Sequence, residues 1–132
     1  MEKVTLTCQC RQSQFTLEGA PIVALHCHCE ACREVTLMPF YSACAFKPEN
    51  LTRHTPEEIE RFRPSHLNMA RYFCRRCGML LYLINRLDLI TIPLIHFDRD
   101  FRRQFPPKCH LFYAERVLDI PDTLPKYLKG IP

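Results

Sequence analysis

The chain has 132 residues, 47% of them hydrophobic and 24% charged, so it can bury the core of one globular domain and is not a disordered segment. No apolar run is long enough for a membrane-spanning helix, and residues 1–5 have no signal-peptide character, so we expect a cytoplasmic protein with a single domain over residues 1–132. The net charge of +4 permits an anionic ligand or weak nucleic-acid contact without requiring either.

The predicted elements are mostly short strands between turns. Residues 4–7 and 13–18 alternate apolar and polar side chains, as half-buried strands do. Further strands are expected at 22–25, 40–46, 69–73, 79–84, 87–92 and 109–113. The strands at 69–73 and 79–84 flank Cys-Arg-Arg-Cys-Gly, which is typical of a hairpin turn.

Helix signals are weaker than strand signals in this sequence. Thr55-Pro56-Glu57-Glu58 has the start of a capping box, but 59–62 could equally be a strand, and 98–104 could form another short helix. Strands follow one another without the long helices of a doubly wound sheet. The sequence therefore predicts a mainly β protein with one or two short helices.

Seven of the nine cysteines fall into three clusters, and this arrangement is the strongest signal in the sequence. Because we expect a reducing compartment, we interpret the clusters as metal sites, chiefly for zinc, rather than as a disulfide framework. The clusters are Cys8-x-Cys10, Cys27-x-Cys29-x-x-Cys32 and Cys74-x-x-Cys77.

The first and last clusters together predict a structural zinc site. Cys74-x-x-Cys77 followed by Gly78 has zinc-knuckle spacing, in which two sulfurs turn onto one metal and the glycine can take a positive φ. Cys8 and Cys10 are separated by one residue and point to the same side of an extended chain. A site on these four sulfurs would close a long loop and stabilise the fold strongly.

The middle cluster offers Cys27, Cys29 and Cys32 to a second zinc. Three protein ligands with an open fourth position are typical of a catalytic zinc. A fourth protein ligand, such as His28, Cys109 or His110, could instead close the site and make it structural. The open site, the closed site and other pairings among the clusters remain alternatives at this point.

Three thiolates on one Zn²⁺ would favour thiol chemistry. The surplus negative charge reduces Lewis acidity toward water or a carbonyl, and the sequence has no HExxH motif of a zinc protease. Zinc deprotonates a coordinated thiol, so a substrate thiol would become a positioned nucleophile. Arg33 could offset the charge as a cofactor-binding residue or be an ordinary solvated side chain, and His28 could orient a sulfur or donate to substrate.

The three clusters, in this order, resemble the glutathione-dependent formaldehyde-activating enzyme family, which includes S-(hydroxymethyl)glutathione synthase and centromere protein V-like proteins. The likeness extends over almost the whole chain. Besides the clusters it includes Arg33, Pro39-Phe40, the hairpin at 73–78, Pro106-Pro107-Lys108-Cys109-His110 and Leu124-Pro125-Lys126-Tyr127.

The resemblance implies a tent-like, zinc-stabilised fold of packed antiparallel sheets. It implies two zinc ions, a structural one on the outer four cysteines and a catalytic-type one on the middle three, the partition that the spacing also favours. It further implies a carbon–sulfur lyase that joins glutathione to formaldehyde to give S-hydroxymethylglutathione, with the basic surplus receiving the glutathione carboxylates.

The sequence departs from the family pattern at four positions. Arg11 and Leu37 stand where the family usually has glycine, and Pro93 replaces a glycine common in the later strand. Leu118 stands near the place of a tryptophan that this chain lacks. The expected metal ligands are intact, whereas loops expected near the site are altered.

The competing interpretation is a non-catalytic, zinc-stabilised module that binds nucleic acid or a protein partner. Arginines interleaved with Phe62, Tyr72 and Phe73 allow nucleic-acid contact, but a solvated basic face explains them as well, so nucleic acid is the less favoured partner. Cys44 is expected to be a buried, inert thiol, whereas Cys109 and His110 could approach the middle zinc.

Overall fold

The computed structural model describes residues 2–54, 59–62 and 69–131, with the backbone alone given for 59–62. Within these ranges ten strands form two sheets, joined by turns and two short α-helices. This confirms the mainly β class with one or two short helices. The strand predicted at 59–62 as an alternative to a helix is present, whereas the capping box at 55–58 lies outside the described residues.

The smaller sheet has three antiparallel strands in the order β1-β2-β5. They are β1 (Lys3–Thr7), β2 (Gln14–Glu18) and β5 (Leu51–Arg53). The alternation read from the sequence is reproduced here, because Phe15 and Leu17 are buried while their neighbours along β2 are more exposed.

The larger sheet has seven strands in the order β10-β3-β4-β9-β8-β7-β6. Its strands are β3 (Val23–Cys27), β4 (Tyr41–Phe46), β6 (Ile59–Phe62), β7 (Ala70–Cys74), β8 (Leu80–Ile84), β9 (Ile90–Pro93) and β10 (His110–Leu111). Its named pairs are antiparallel except that β10 runs parallel to β3. β10 is shorter than the predicted strand at 109–113, because Phe112 takes a left-handed conformation and the chain turns.

The main core lies between the two sheets. Phe15 of the smaller sheet meets Tyr82 of the larger one edge-on, with ring centroids 5.4 Å apart, and Tyr72 stacks on Tyr82 at 4.7 Å. Phe46 and Ile92 are fully buried in the same cluster. Aromatic pairs of this kind add to the free energy gained by burying apolar area, and the Phe15–Tyr82 pair helps to hold the two sheets together.

The two helices are α1 (Glu30–Thr36) and α2 (Arg99–Gln104). Asp98 caps α2 by accepting a hydrogen bond from the backbone N–H of Phe101 at 2.9 Å, which confirms the helix predicted at 98–104. α1 was not predicted from the sequence, and the structure places Cys32 in the first turn of this helix.

Two departures from the family pattern are now explained by the backbone. Arg11 and Leu37 both take left-handed conformations, with φ of 68° and 57°. Leu37 ends α1, and its backbone N–H donates to the carbonyl of Arg33 at 2.8 Å. Glycine adopts this conformation at less steric cost than other residues, so this chain keeps the shape of the turn while carrying a strained residue.

We expect Leu37→Gly to raise the free energy of unfolding by about 0.5–1 kcal/mol, because it removes left-handed strain from an exposed side chain that contributes little packing. Met38→Gly is the matched control, since Met38 is exposed and does not have a positive φ; it should lower stability instead. Urea unfolding at fixed zinc concentration measures both changes, and equal destabilisation by the two variants would contradict the strain argument.

Two cysteine centres as the candidate functional site

Four sulfurs from two hairpin turns meet in the first centre. Cys8 and Cys10 lie between β1 and β2, and Cys74 and Cys77 lie at the turn between β7 and β8. The Sγ atom of Cys8 is 3.4 Å from that of Cys10 and 3.5 Å from that of Cys74, and all four sulfurs lie within 4.8 Å of one another. Sulfurs bound tetrahedrally to zinc at 2.3 Å would be about 3.8 Å apart, so the donor set fits one zinc ion.

The turn after Cys74 is shaped for metal binding. Gly78 has a φ of 76°, a backbone conformation that favours glycine. A Cβ there would meet nothing within 4 Å, so lack of space is not the reason for glycine at this position. Its N–H donates to the carbonyl of Cys74 at 2.8 Å. Burial raises the pKa of the Cys74 thiol, but hydrogen bonds from the Cys77 N–H and Ser13 hydroxyl outweigh this and bring it to about 6. The sulfur is thereby prepared to bind as a thiolate.

The second centre lies where β3 passes into α1. Cys27 ends β3, Cys29 is the N-cap of α1, and Cys32 lies in its first turn. The backbone N–H of Cys32 points at the Cys29 sulfur, 3.3 Å away. Cysteine is an unusual cap, since Ser, Thr, Asp and Asn are preferred there, which explains why the helix was missed. The acidic Glu30 in the first turn was the available signal.

The three sulfurs of this centre lie within 4.8 Å of one another. In the described part of the chain no other Cys, His, Asp or Glu places a ligand atom in the same group. His28, Cys109 and His110, the candidates for a fourth ligand, are therefore not brought into it. This geometry favours a centre with three protein ligands over a closed one.

The three thiols differ in acidity because they share hydrogen bonds. The thiols of Cys27 and Cys32 donate to the Cys29 sulfur, and with the N–H groups at the start of α1 they lower the Cys29 pKa to about 3. Donation to Cys29 raises the pKa of Cys27 to about 12. One sulfur is thus charged first, and metal binding would release protons from the other two.

Arg33 braces the loop that carries these ligands. Its Nε donates to the backbone carbonyl of His28 at 3.1 Å, between Cys27 and Cys29 in sequence. The residue is half-buried. A role in binding a cofactor or substrate stays a prediction.

Sequence reasoning missed a buried hydrogen-bonded chain beside the second centre. His28 Nε2 lies 2.8 Å from His110 Nδ1, and His110 Nε2 lies 2.8 Å from an oxygen of Asp122, which also pairs with Lys126 at 2.7 Å. Both imidazoles are fully buried. Burial and the neighbouring His110 and His26 lower the pKa of His28 to about 4. No motif contains Asp122, so only the fold brings it to His110.

A cleft of about 490 Å³ is lined by residues close in sequence to the two centres, but by none of their seven cysteines. It lies against the end of α1, the start of β4 and the residues after Cys77, and its lining includes Val35, Met38, Tyr41 and Met79. Tyr41 is the cross-strand partner of Cys27. The volume is within the range of small-molecule sites, and the described lining is largely apolar.

The fold and these centres define a class of small, mainly β proteins with one four-cysteine and one three-cysteine group that could each hold a metal ion. A family model described as "Glutathione-dependent formaldehyde-activating enzyme" matches residues 3–115, and the chain belongs to this family, as the resemblance predicted.

One solved structure similar to this chain is a crystal structure of a Rhodobacter sphaeroides protein, a structural-genomics target. It superposes with a TM-score of 0.60 at 18% identity, over 73% of this chain and 89% of that chain, which supports the fold. A search of curated proteins gives no significant match. None of the helices in the described ranges is long and apolar enough to cross a membrane.

Cys44 lies outside both centres, as predicted, and is fully buried in β4. Burial raises its pKa to about 12, so only about one molecule in ten thousand would carry the thiolate at pH 8. We expect iodoacetamide to leave Cys44 unmodified in the native zinc-loaded protein and to modify it fully in urea, as read by peptide mass spectrometry. Equal modification rates in both conditions would contradict its burial.

Proposed function

We propose that this chain is a zinc-dependent carbon–sulfur lyase of the S-(hydroxymethyl)glutathione synthase type, acting in the cytoplasm as one domain over residues 1–132. Its substrates would be a small thiol such as glutathione and formaldehyde or a related small aldehyde. The observation that carries the proposal is the different number of cysteines in the two centres. Four sulfurs saturate one zinc, whereas Cys27, Cys29 and Cys32 leave one position for a substrate.

The proposed reaction forms one bond between the thiol sulfur and the aldehyde carbon. The carbonyl π bond breaks, and the thiol proton is transferred, directly or through solvent, to the former carbonyl oxygen. Zinc held by the three sulfurs would supply a fourth coordination position that stabilises the substrate thiol as a thiolate. Cys27 and Cys32 are buried while Cys29 is half-buried, so the centre is open to substrate on one side only.

The charge distribution supports an anionic thiol as substrate. Arg75 and Arg76 are exposed and occupy the turn just before Gly78 and Met79, which line the cleft. Cations at the edge of an apolar cleft attract carboxylates, and the effect weakens as salt is added. We propose that this edge receives the glutathione carboxylates.

The reaction is tested by following ¹³C-formaldehyde and glutathione with NMR exchange spectroscopy, because the adduct also forms without catalyst and only its rate reports catalysis. Zinc-loaded protein should accelerate the exchange in proportion to its concentration. Cys29→Ser should return the rate to the uncatalysed background, since it removes the half-buried ligand of the three-cysteine centre.

Cys44→Ala is the matched control, because it removes a buried cysteine that belongs to neither centre; it should keep the wild-type rate per folded molecule. A wild-type protein with two bound zinc ions, no acceleration and no saturable chemical-shift changes with millimolar glutathione would contradict the proposal. That result would favour the non-catalytic binding module.

A further inference from the structure

The segment 116–131 lies beyond the region that the family model matches and packs along β10. His110 donates its backbone N–H to the carbonyl of Pro125 and accepts from the N–H of Tyr127, both at 2.9 Å. Phe112 donates to the carbonyl of Lys129 at 2.8 Å. This backbone pairing holds the segment in register with His110 and places Asp122 against the His110 ring.

The hydrogen-bonded chain from Asp122 fixes where the protons lie. An ionised carboxylate only accepts hydrogen bonds, so His110 must carry a proton on Nε2. Lys126 pairs with the other oxygen of Asp122. A doubly protonated His110 would donate to His28 Nε2 and force the His28 proton onto Nδ1, which has no partner among the described residues. A neutral His110 then has an acceptor at Nδ1, and His28 must donate to it from Nε2.

The remaining nitrogen of His28 agrees with this assignment. His28 Nδ1 is buried and has no hydrogen-bond partner among the described residues. A buried donor without a partner is rarer in folded proteins than an under-satisfied acceptor. Nδ1 without a proton is therefore the less costly state, and it is the state that the chain from Asp122 imposes.

We propose that Asp122 and His110 are positioning residues that hold His28 in its Nε2–H tautomer beside the three-cysteine centre. Nδ1 is the ring nitrogen closer to the main chain, so His28 then directs no N–H toward the loop of Cys27 and Cys29. Of the roles left open for His28, donation to substrate from Nδ1 is not available in this tautomer.

The inference concerns the metal centre of the proposed function, but its first test does not depend on activity. Long-range ¹H–¹⁵N correlation spectra of the zinc-loaded wild-type protein distinguish the tautomers of each histidine. His28 and His110 should both be protonated at Nε2 and not at Nδ1. A proton on Nδ1 of either ring would overturn the proposal, and this measurement needs no variant.

Asp122→Asn tests whether Asp122 sets the tautomer of His28, with Asp119→Asn as matched control. Asp119 is an exposed neighbour in the same segment that pairs with Arg116 at 2.6 Å. Asp122→Asn should change the ¹⁵N signals of His28, which lies two hydrogen bonds away from residue 122. Asp119→Asn should leave these signals unchanged.

An unchanged His28 spectrum in Asp122→Asn, or the same change in Asp119→Asn, would contradict the proposal. The two proposals fail differently. A wild-type protein in which His28 and His110 are both protonated at Nε2, but which binds one zinc ion or shows no catalysis, would overturn the proposed function. The assignment of the His28 tautomer would still stand.

Discussion

The fold depends on bringing four sulfurs together from segments far apart in the chain. Cys8 and Cys74 are separated by 66 residues, yet their sulfurs are 3.5 Å apart. Thiolates at that distance repel one another, so the charged cluster needs a cation at its centre. A structural zinc site contributes about 10–16 kcal/mol of apparent binding free energy, which is comparable to the whole stability of a typical domain.

This constraint explains how the rest of the molecule is arranged. The four-cysteine centre ties the turn of the smaller sheet to the hairpin of the larger one, and the aromatic core around Phe15 and Tyr82 fills the space between them. The three-cysteine centre lies toward the opposite edge of the larger sheet, where β3 pairs with β4 and β10. The two groups of cysteines are therefore built on different parts of the fold.

Features with a local cause could be predicted from the sequence. Alternation located β1 and β2, and the Cys-x-x-Cys-Gly spacing located the β7–β8 hairpin, because each signal depends on a few consecutive residues. The division of seven cysteines into four and three was the pairing that spacing and ligand number favoured, and the structure brings together those two groups.

Features that depend on distant pairing could not be predicted. α1 begins with a cysteine cap that serves the metal centre and departs from the usual cap residues. His28 and His110 are 82 positions apart. Their contact follows from the parallel pairing of β3 with β10, which the pattern of apolar and polar residues does not predict. Asp122 reaches His110 only because the last segment pairs with β10.

The most direct test of the account is the number of zinc ions per chain, counted by native mass spectrometry on protein purified without added metal. We expect two zinc ions in the wild-type protein and one in Cys29→Ser. One zinc ion in the wild-type protein, unchanged in Cys29→Ser, would show that only the four-cysteine centre holds metal. That result would contradict the division into a structural and a substrate-binding centre.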